Sequence, residues 1–369
     1  MKIILFANTF EYFSLRINFL KKLRNNGFDI YLLGTTDKFK KNFEDLGFNT
    51  ISLKIKRKSK NFLIELITLF KIYKVFKEIK PDVILNFTIK PVVYCGVLNY
   101  LFKLPVINTM TGVGPYFFNK GIFNFFMKIL FKFSQKKISR VAFQNYDDKN
   151  FFIKNRLVNN DQSFVVPGFG VDKKYFNYCS YPKNKKITFL LIARMLWNKG
   201  IAEYVEAAEK IKQDIPNLDF QLLGPIDEDN EYVITKEQLD VWVNENIINY
   251  LGFVDDVRPY ILKSNCVVLP SYREGMPRSL LQACSMGRPI IASDAPGCRD
   301  IVENNINGFV CKSKDSSDLA NKIINFINLN QIEKEKMGLN GRELIEKRFD
   351  ENIIFKSYLD EINSIVKYS

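Results

Sequence analysis

Short apolar runs of four to seven residues alternate with segments of helical periodicity, and this alternation narrows the possible folds more than any other feature. Strands are predicted at Ile3–Ala7, Ile30–Leu33, Val83–Asn86, Val106–Thr109 and Val141–Gln144. Helical patterns such as Leu15–Asn25, Phe62–Ile79 and Phe151–Asn155 fill the gaps. A β-α-β-α order calls for parallel strands joined by right-handed crossovers, with helices on the sheet. A second series begins at Thr188, with strands expected at Thr188–Ala193, Asp219–Leu223, Cys266–Leu269 and Pro289–Ala292 and helices such as Ile201–Gln213 and Asp318–Leu329. The chain therefore reads as two Rossmann-like, doubly wound parallel-sheet domains, 1–172 and 187–350. The polar stretch Gly168–Lys186 joins them, and a helix at 351–369 is expected to pack back on the first domain. Two such domains place their strand-end faces across a cleft, which suits a nucleotide on one side and an acceptor on the other.

Apolar content of 47% and charged content of 25% over 369 residues are those of a globular protein of two or three domains. No run of 18 uncharged apolar residues is present, so no transmembrane span is expected. Met1-Lys-Ile-Ile-Leu-Phe-Ala7 is too short for the apolar region of a signal peptide and reads as a first strand. Six cysteines show no paired metal spacing and several lie in apolar runs, which fits a reducing cytoplasm. The chain contains no histidine, which removes His-based triads, imidazole metal sites and a histidine general base together. No metal site is expected.

Charge is uneven. Residues 1–180 hold 30 Lys+Arg against 12 Asp+Glu, a balance of +18, whereas the remainder holds 24 against 28, a balance of −4. The first half is expected to meet something anionic, either nucleic acid or a membrane surface.

Ser271-Tyr-Arg-Glu-Gly-Met-Pro-Arg-Ser-Leu-Leu-Gln282 follows a strand and enters a helix, so Glu274 falls on a strand-end loop and Pro277 at the helix start. The free N–H groups of that first turn can hold an anion. Arg194 and Lys199 share another strand-end loop, Ile192-Ala-Arg-Met-Leu-Trp-Asn-Lys-Gly200, where two cations can neutralise a pyrophosphate. Each stretch alone is also compatible with an ordinary structural loop.

Taken together, Ala193-Arg194, Lys199-Gly200, Gly252-Phe-Val-Asp-Asp256, Pro270 to Pro277 and Ala292-Ser-Asp-Ala-Pro-Gly297 resemble, in order and spacing, the C-terminal domain of family 4 retaining glycosyltransferases, which have the GT-B fold. Asn86-Phe-Thr-Ile-Lys-Pro-Val-Val-Tyr-Cys-Gly96 and Thr109-Met-Thr-Gly-Val-Gly114 resemble a subgroup that acts on polyprenyl-diphosphate-linked sugars in bacterial surface-glycan and protein glycosylation. The resemblance implies that Arg194 and Lys199 bind the donor diphosphate and that Glu274 sits beside the donor sugar. It also implies that Gly275, Met276, Pro277, Arg278 and Ser279 approach sugar and phosphates, with Gly224 and Gln282 completing the donor site. Lys90, Thr111, Gly112 and Gly114 would lie near the acceptor or the sugar. No cofactor is implied.

The sequence departs from the family pattern at Gln282, which stands where the second glutamate of E-x7-E accepts bonds from the ribose hydroxyls. A neutral amide accepts more weakly than a carboxylate, so altered nucleotide binding is expected. Many members carry a histidine near the position of Lys90. Asp255-Asp256 reads as a helix cap.

Within the basic half, Lys54-Ile-Lys-Arg-Lys-Ser-Lys60 precedes Phe62–Phe70, which reads as a core helix with lysines on its wet face. Phe117–Phe133 carries more aromatics than one buried face needs and reads as an interfacial helix on anionic lipid. The expected protein is thus a cytoplasmic glycosyltransferase, peripheral on the inner face of the bacterial inner membrane. Its expected substrates are a nucleotide-sugar donor, UDP-linked, and an undecaprenyl-diphosphate-linked saccharide. Nucleic acid accounts for the charge but not for the donor motifs. A nucleotide-sugar 2-epimerase and a non-catalytic nucleotide-sugar binder are the alternatives.

Overall fold

The computed structural model describes residues 1–55, 61–118, 121–183 and 186–367, without the side chains of 115, 116 and 123. The basic run at 56–60 lies outside the described residues. The chain forms two units: Met1–Phe169 together with Ile354–Ser369, and Gly170–Ile353.

Unit 1 is built on seven strands: β1 Lys2–Thr9, β2 Asp29–Thr35, β3 Asn49–Ser52, β4 Val83–Phe87, β5 Val106–Met110, β6 Arg140–Phe143 and β7 Ser163–Val165. All are parallel in the order β3-β2-β1-β4-β5-β6-β7. Leu5 of β1 pairs with both Leu32 and Leu85, so the centre of the sheet is apolar on both faces, as a sheet covered by helices on both sides requires. Unit 2 repeats the design with β8 Ile187–Ile192, β9 Leu218–Leu223, β10 Asn249–Tyr250, β11 Cys266–Leu269, β12 Ile290–Ser293 and β13 Gly308–Cys311, ordered β10-β9-β8-β11-β12-β13. In each sheet the order reverses direction beside the first strand, at β1/β4 and at β8/β11. Ligands bind outside the strand carboxyl ends at such a reversal.

Nine of the thirteen strands coincide with apolar runs. The four others, β3, β7, β10 and β13, are the edges of the two sheets. An edge strand pairs on one side only and needs no long apolar run; β3, β7 and β10 are partly exposed, whereas β13 is mostly buried. The tail is helical over Gln331–Leu344, continues as a π-helical turn at Ile345–Phe349 and resumes at Glu351–Lys367. From Ile354 onward that last helix lies in unit 1, where Ile354, Phe355, Tyr358 and Ile362 join Phe19 and Leu20 in the core.

Helix Phe62–Ile79 corrects the expectation of an ordinary core helix. Asn61 caps it by accepting from the Leu63 N–H. One face of it is anchored, through Thr68, Ile72, Phe76 and Ile79, while Phe62, Leu63, Leu66, Ile67 and Phe70 on its first half are exposed. Four lysines cannot supply a wet face there, because Lys71, Lys74, Lys77 and Lys80 all come after the exposed apolar residues. Helix Ile122–Gln135 likewise buries Phe131 and exposes Ile122, Phe125 and Phe126. No described helix is long and apolar enough to cross a membrane.

Candidate active site

Three strand-end loops of unit 2 converge at the β8/β11 reversal. The β8 loop passes Arg194 and a turn of 3-10 helix, Trp197–Lys199, before helix Ile201–Asp214. Its Asn198 carbonyl accepts from the Ser271 hydroxyl at 3.2 Å and from the Tyr272 N–H at 3.1 Å, which ties it to the β11 loop. The β12 loop joins from the other side: the Ser293 hydroxyl donates to the Ser271 carbonyl, and the Glu274 N–H donates to the Pro296 carbonyl at 2.9 Å. Gly297 is held at φ +80°, and a Cβ on it would lie 2.5 Å from the Glu274 carbonyl oxygen. Only glycine permits both that backbone and that approach.

At the junction, Lys199 Nζ lies 2.5 Å from Glu274 Oε1, with side chains only 17% and 16% exposed. The two residues are 75 positions apart, so the pair exists only because β8 and β11 are neighbours. Arg194 is 45% exposed and is held by Asp227, Nη1 to Oδ2 at 2.5 Å. The two cations of the first loop thus have separate carboxylate partners. Gly224 underlies Arg194: a Cβ there would lie 1.9 Å from the Ala193 carbonyl oxygen.

Gly275, Met276 and Pro277 are buried at the start of helix Arg278–Ser285, where Pro277 is the N-cap. Arg278 is exposed and Ser279 half-buried. Gln282 is 9% exposed, and its side chain has no hydrogen-bond partner among the described residues. Asp256 accepts from the Arg258 N–H at 3.0 Å and from the Arg258 guanidinium, but the N-cap of helix Arg258–Lys263 is Val257 and no side chain caps it, so the expected cap is instead part of the turn before the helix.

No thiolate stands ready beside this site. Cys298 is fully buried, and burial, reinforced by the Glu274 charge, pushes its thiol well above the ordinary cysteine range. Among the described residues no three His, Cys, Asp or Glu side chains converge as a metal-holding group.

In unit 1, Lys90 opens helix Ile89–Phe102 just past β4, and its Nζ donates to Glu65 Oε1 at 2.8 Å. Tyr94 donates its hydroxyl to the other Glu65 oxygen. Lys90 therefore carries a carboxylate partner from helix Phe62–Ile79. Preceding it, Thr88 has φ 70° and ψ 152°, a conformation that costs a non-glycine residue about 1–3 kcal/mol and collects at functional sites. The loop Thr111–Gly114 leaves β5, with Thr111 exposed and Gly112 at φ +133°. Neither Gly112 nor Gly114 has an atom of the described residues within 4 Å of where a Cβ would stand, so no packing among them demands glycine there. Asp227, Glu65, Tyr94 and Thr88 escape sequence reasoning, since each gains its place from a contact or a torsion that no local pattern carries.

Both halves of the chain match glycosyltransferase families: residues 2–145 the glycosyl transferase 4-like family and residues 180–344 the glycosyl transferases group 1 family. The chain belongs to these glycosyltransferases, and its two parallel-sheet units have the GT-B fold. It is 28% identical, over 95% of both chains, to the N,N'-diacetylbacillosaminyl-diphospho-undecaprenol alpha-1,3-N-acetylgalactosaminyltransferase of Campylobacter jejuni. It is 26% identical to the UDP-Gal:alpha-D-GlcNAc-diphosphoundecaprenol alpha-1,3-galactosyltransferase of Escherichia coli, over 76% of this chain and 77% of that one. The Anabaena protein HepE, crystallised with UDP, superposes with a TM-score of 0.81 at 20% identity, covering 99% of this chain and all of HepE. That last likeness is one of fold.

Proposed function

We propose that the chain transfers a hexose, N-acetylhexosamine or uronic acid from a UDP-linked donor to an undecaprenyl-diphosphate-linked saccharide, with retention of configuration. The setting is bacterial O-antigen, capsule or protein-glycosylation assembly at the cytoplasmic face of the inner membrane. The observation that carries this reading is the Lys199–Glu274 pair at the β8/β11 reversal, with Arg194 on the same loop. The names of the Campylobacter and Escherichia relatives, both acting on sugars linked to undecaprenyl diphosphate, support the acceptor class.

In this reading the bond between the anomeric carbon and the donor phosphate oxygen breaks as the acceptor hydroxyl bonds to that carbon. The hydroxyl proton leaves toward the departing phosphate. Negative charge grows on the leaving diphosphate, and Lys199 and Arg194 meet it as cations fixed before the reaction begins. The Gly275 and Met276 amides approach the same group, and Glu274 holds Lys199 while facing the sugar. Pro277, Arg278 and Ser279 shape the turn around the phosphates. Gly224 keeps the Arg194 backbone in place. On the acceptor side, Lys90 stands beside the sugar or the acceptor diphosphate, and Thr111, Gly112 and Gly114 line the approach.

Gln282 accepts from the ribose hydroxyls as a neutral amide. Gln282→Glu is therefore expected to lower the KM for donor about fivefold at nearly constant kcat, since charge-assisted bonds are roughly twice as strong. Steady-state kinetics with varied UDP-sugar check this, and an unchanged or higher KM removes Gln282 from the ribose.

The reading is tested by incubating the full chain with a panel of UDP-sugars and undecaprenyl-diphosphate-linked saccharides, in chelator, with linkage and anomer analysis of products. One donor–acceptor pair giving a retained glycosidic bond is the expected result. Sugar turnover without any acceptor would assign an epimerase instead, and no product from any pair would sink the proposal.

A further inference from the structure

From the exposed face of unit 1 we infer that two of its helices form a docking surface for an anionic bilayer, set beside the acceptor loops. This extends the proposed lipid-linked acceptor and rests on that reading for its purpose. Helices Phe62–Ile79, Ile89–Phe102 and Ile122–Gln135 lie side by side on one face of the sheet and share one core. The middle helix touches both others, through Phe102 on Tyr73 at 5.4 Å and Tyr100 on Phe133 at 4.5 Å. Yet the two outer helices turn large apolar side chains to solvent, with Phe62 72% and Ile122 77% exposed. The residues follow helical spacing, Phe62, Leu66 and Phe70 on one helix and Ile122, Phe126 and Ile129 on the other, so each forms a stripe. Exposed apolar surface of this extent marks an interaction site in a soluble fold.

Position and charge name the occupant. Each outer helix runs back from the carboxyl end of one strand to the start of the next, so its first half lies at the carboxyl edge of the sheet. The Glu65–Lys90 ion pair, which joins the first turn of one helix to the end of β4, shows the same placement. Phe62, Leu66 and Phe70 sit in the first half of their helix and Ile122 and Phe126 in the first half of theirs, so both stripes begin beside Lys90 and Thr111–Gly114, where a lipid-borne diphosphate would arrive. The helix Ile122–Gln135 carries Lys128 and Lys132 and no carboxylate. On the other helix Glu65 is neutralised by Lys90, and Lys74 Nζ lies 4.7 Å from the Phe70 ring centre. Apolar stripes edged by lysines complement anionic headgroups over acyl chains.

Co-sedimentation of the full chain with acceptor-free vesicles tests this, using phosphatidylcholine alone or mixed with phosphatidylglycerol. The native chain is expected to bind the mixed vesicles far better than the neutral ones. The variant I67E with F126E should lower partition about tenfold or more, and K128E with K132E should weaken binding to anionic vesicles only, by roughly fivefold per lysine. Ile67, Phe126 and Lys132 are exposed and Lys128 is half-buried, and circular dichroism checks that the variants fold. No binding by the native chain, or equal binding by I67E with F126E, would overturn the inference. So would loss of self-association in vesicle-free sedimentation, which would make the patch a contact between copies. Transfer to a short-prenyl, water-soluble acceptor separates the two claims: if vesicle binding holds while no sugar moves, docking stands and the proposed function fails.

Discussion

Lys199→Ala is expected to lower kcat about 10³-fold while the chain remains folded. Removing one preorganised donor from developing negative charge typically costs about 10²–10³ in kcat, and here the donor is a full charge in a partly dry site. The loss has a second source. Glu274, 16% exposed, loses the Lys199 ammonium at 2.5 Å, so the carboxyl group is no longer held away from the incoming diphosphate. Breaking this half-buried pair should also cost about 1–2 kcal/mol of stability, less than a fully buried pair because solvent screens it. Lys199→Met combined with Glu274→Gln should recover most of the stability and none of the turnover. Steady-state kinetics and thermal melts on the three variants separate the roles. Turnover within threefold of the native chain in Lys199→Ala would remove Lys199 from the donor diphosphate. Arg194→Ala, at a 45% exposed position, should affect turnover severely and stability hardly at all.

The largest stability effect is expected away from the site, at Arg288. Its side chain is wholly buried, and its guanidinium donates to five carbonyls: Ile261 at 3.1 Å, Leu262 at 3.2 Å, Cys179 at 3.1 Å, Ser180 at 3.0 Å and Gly287 at 3.2 Å. Two of these end helix Arg258–Lys263, where carbonyls carry the negative pole of the helix. Burial lowers the guanidinium pKa, yet an arginine stays charged at any working pH. Two of the five bonds thus fasten the segment at Cys179 and Ser180 to the residue that leads into β12, and two more tie in the end of helix Arg258–Lys263. Arg288→Met removes this donor from all five carbonyls, of which Ile261 keeps the Ser264 hydroxyl at 2.9 Å, and should cost about 4 kcal/mol. In a unit of this size that shifts Tm by about 10 °C. Arg288→Lys supplies three donors and should recover only part. Denaturant melts check both, and a loss below about 1 kcal/mol for Arg288→Met would show that water satisfies those carbonyls.

Arg288 also marks a limit of sequence reading. It lies beside Pro289 as an unremarkable basic residue, and only the fold collects five carbonyls around it. The core strands, by contrast, were legible because a doubly covered parallel strand must be apolar on both faces, as Ile3–Ala7 and Cys266–Leu269 are. The edges β3, β7 and β10 were not, since they bury too little for composition to show, and β13 was missed although it is mostly buried. Helix Phe62–Ile79 was legible in extent and wrong in orientation: its periodicity says helix, but which apolar stripe meets the core depends on the sheet beneath.

For the site, the sequence by itself determined which residues stand at strand ends, because a residue that follows an apolar run and precedes a helical one has no other place in a β-α-β chain. Arg194, Lys199, Glu274 and the Gly275–Ser279 turn were found that way. Only the tertiary structure decided who meets whom. Strand order, set by packing across the whole sheet, puts β8 against β11 and so Lys199 against Glu274; it also gives Arg194 to Asp227 and Lys90 to Glu65. A pairing energy between distant residues has no local signature, and that is why the chemistry's parts could be read in line but their partners could not.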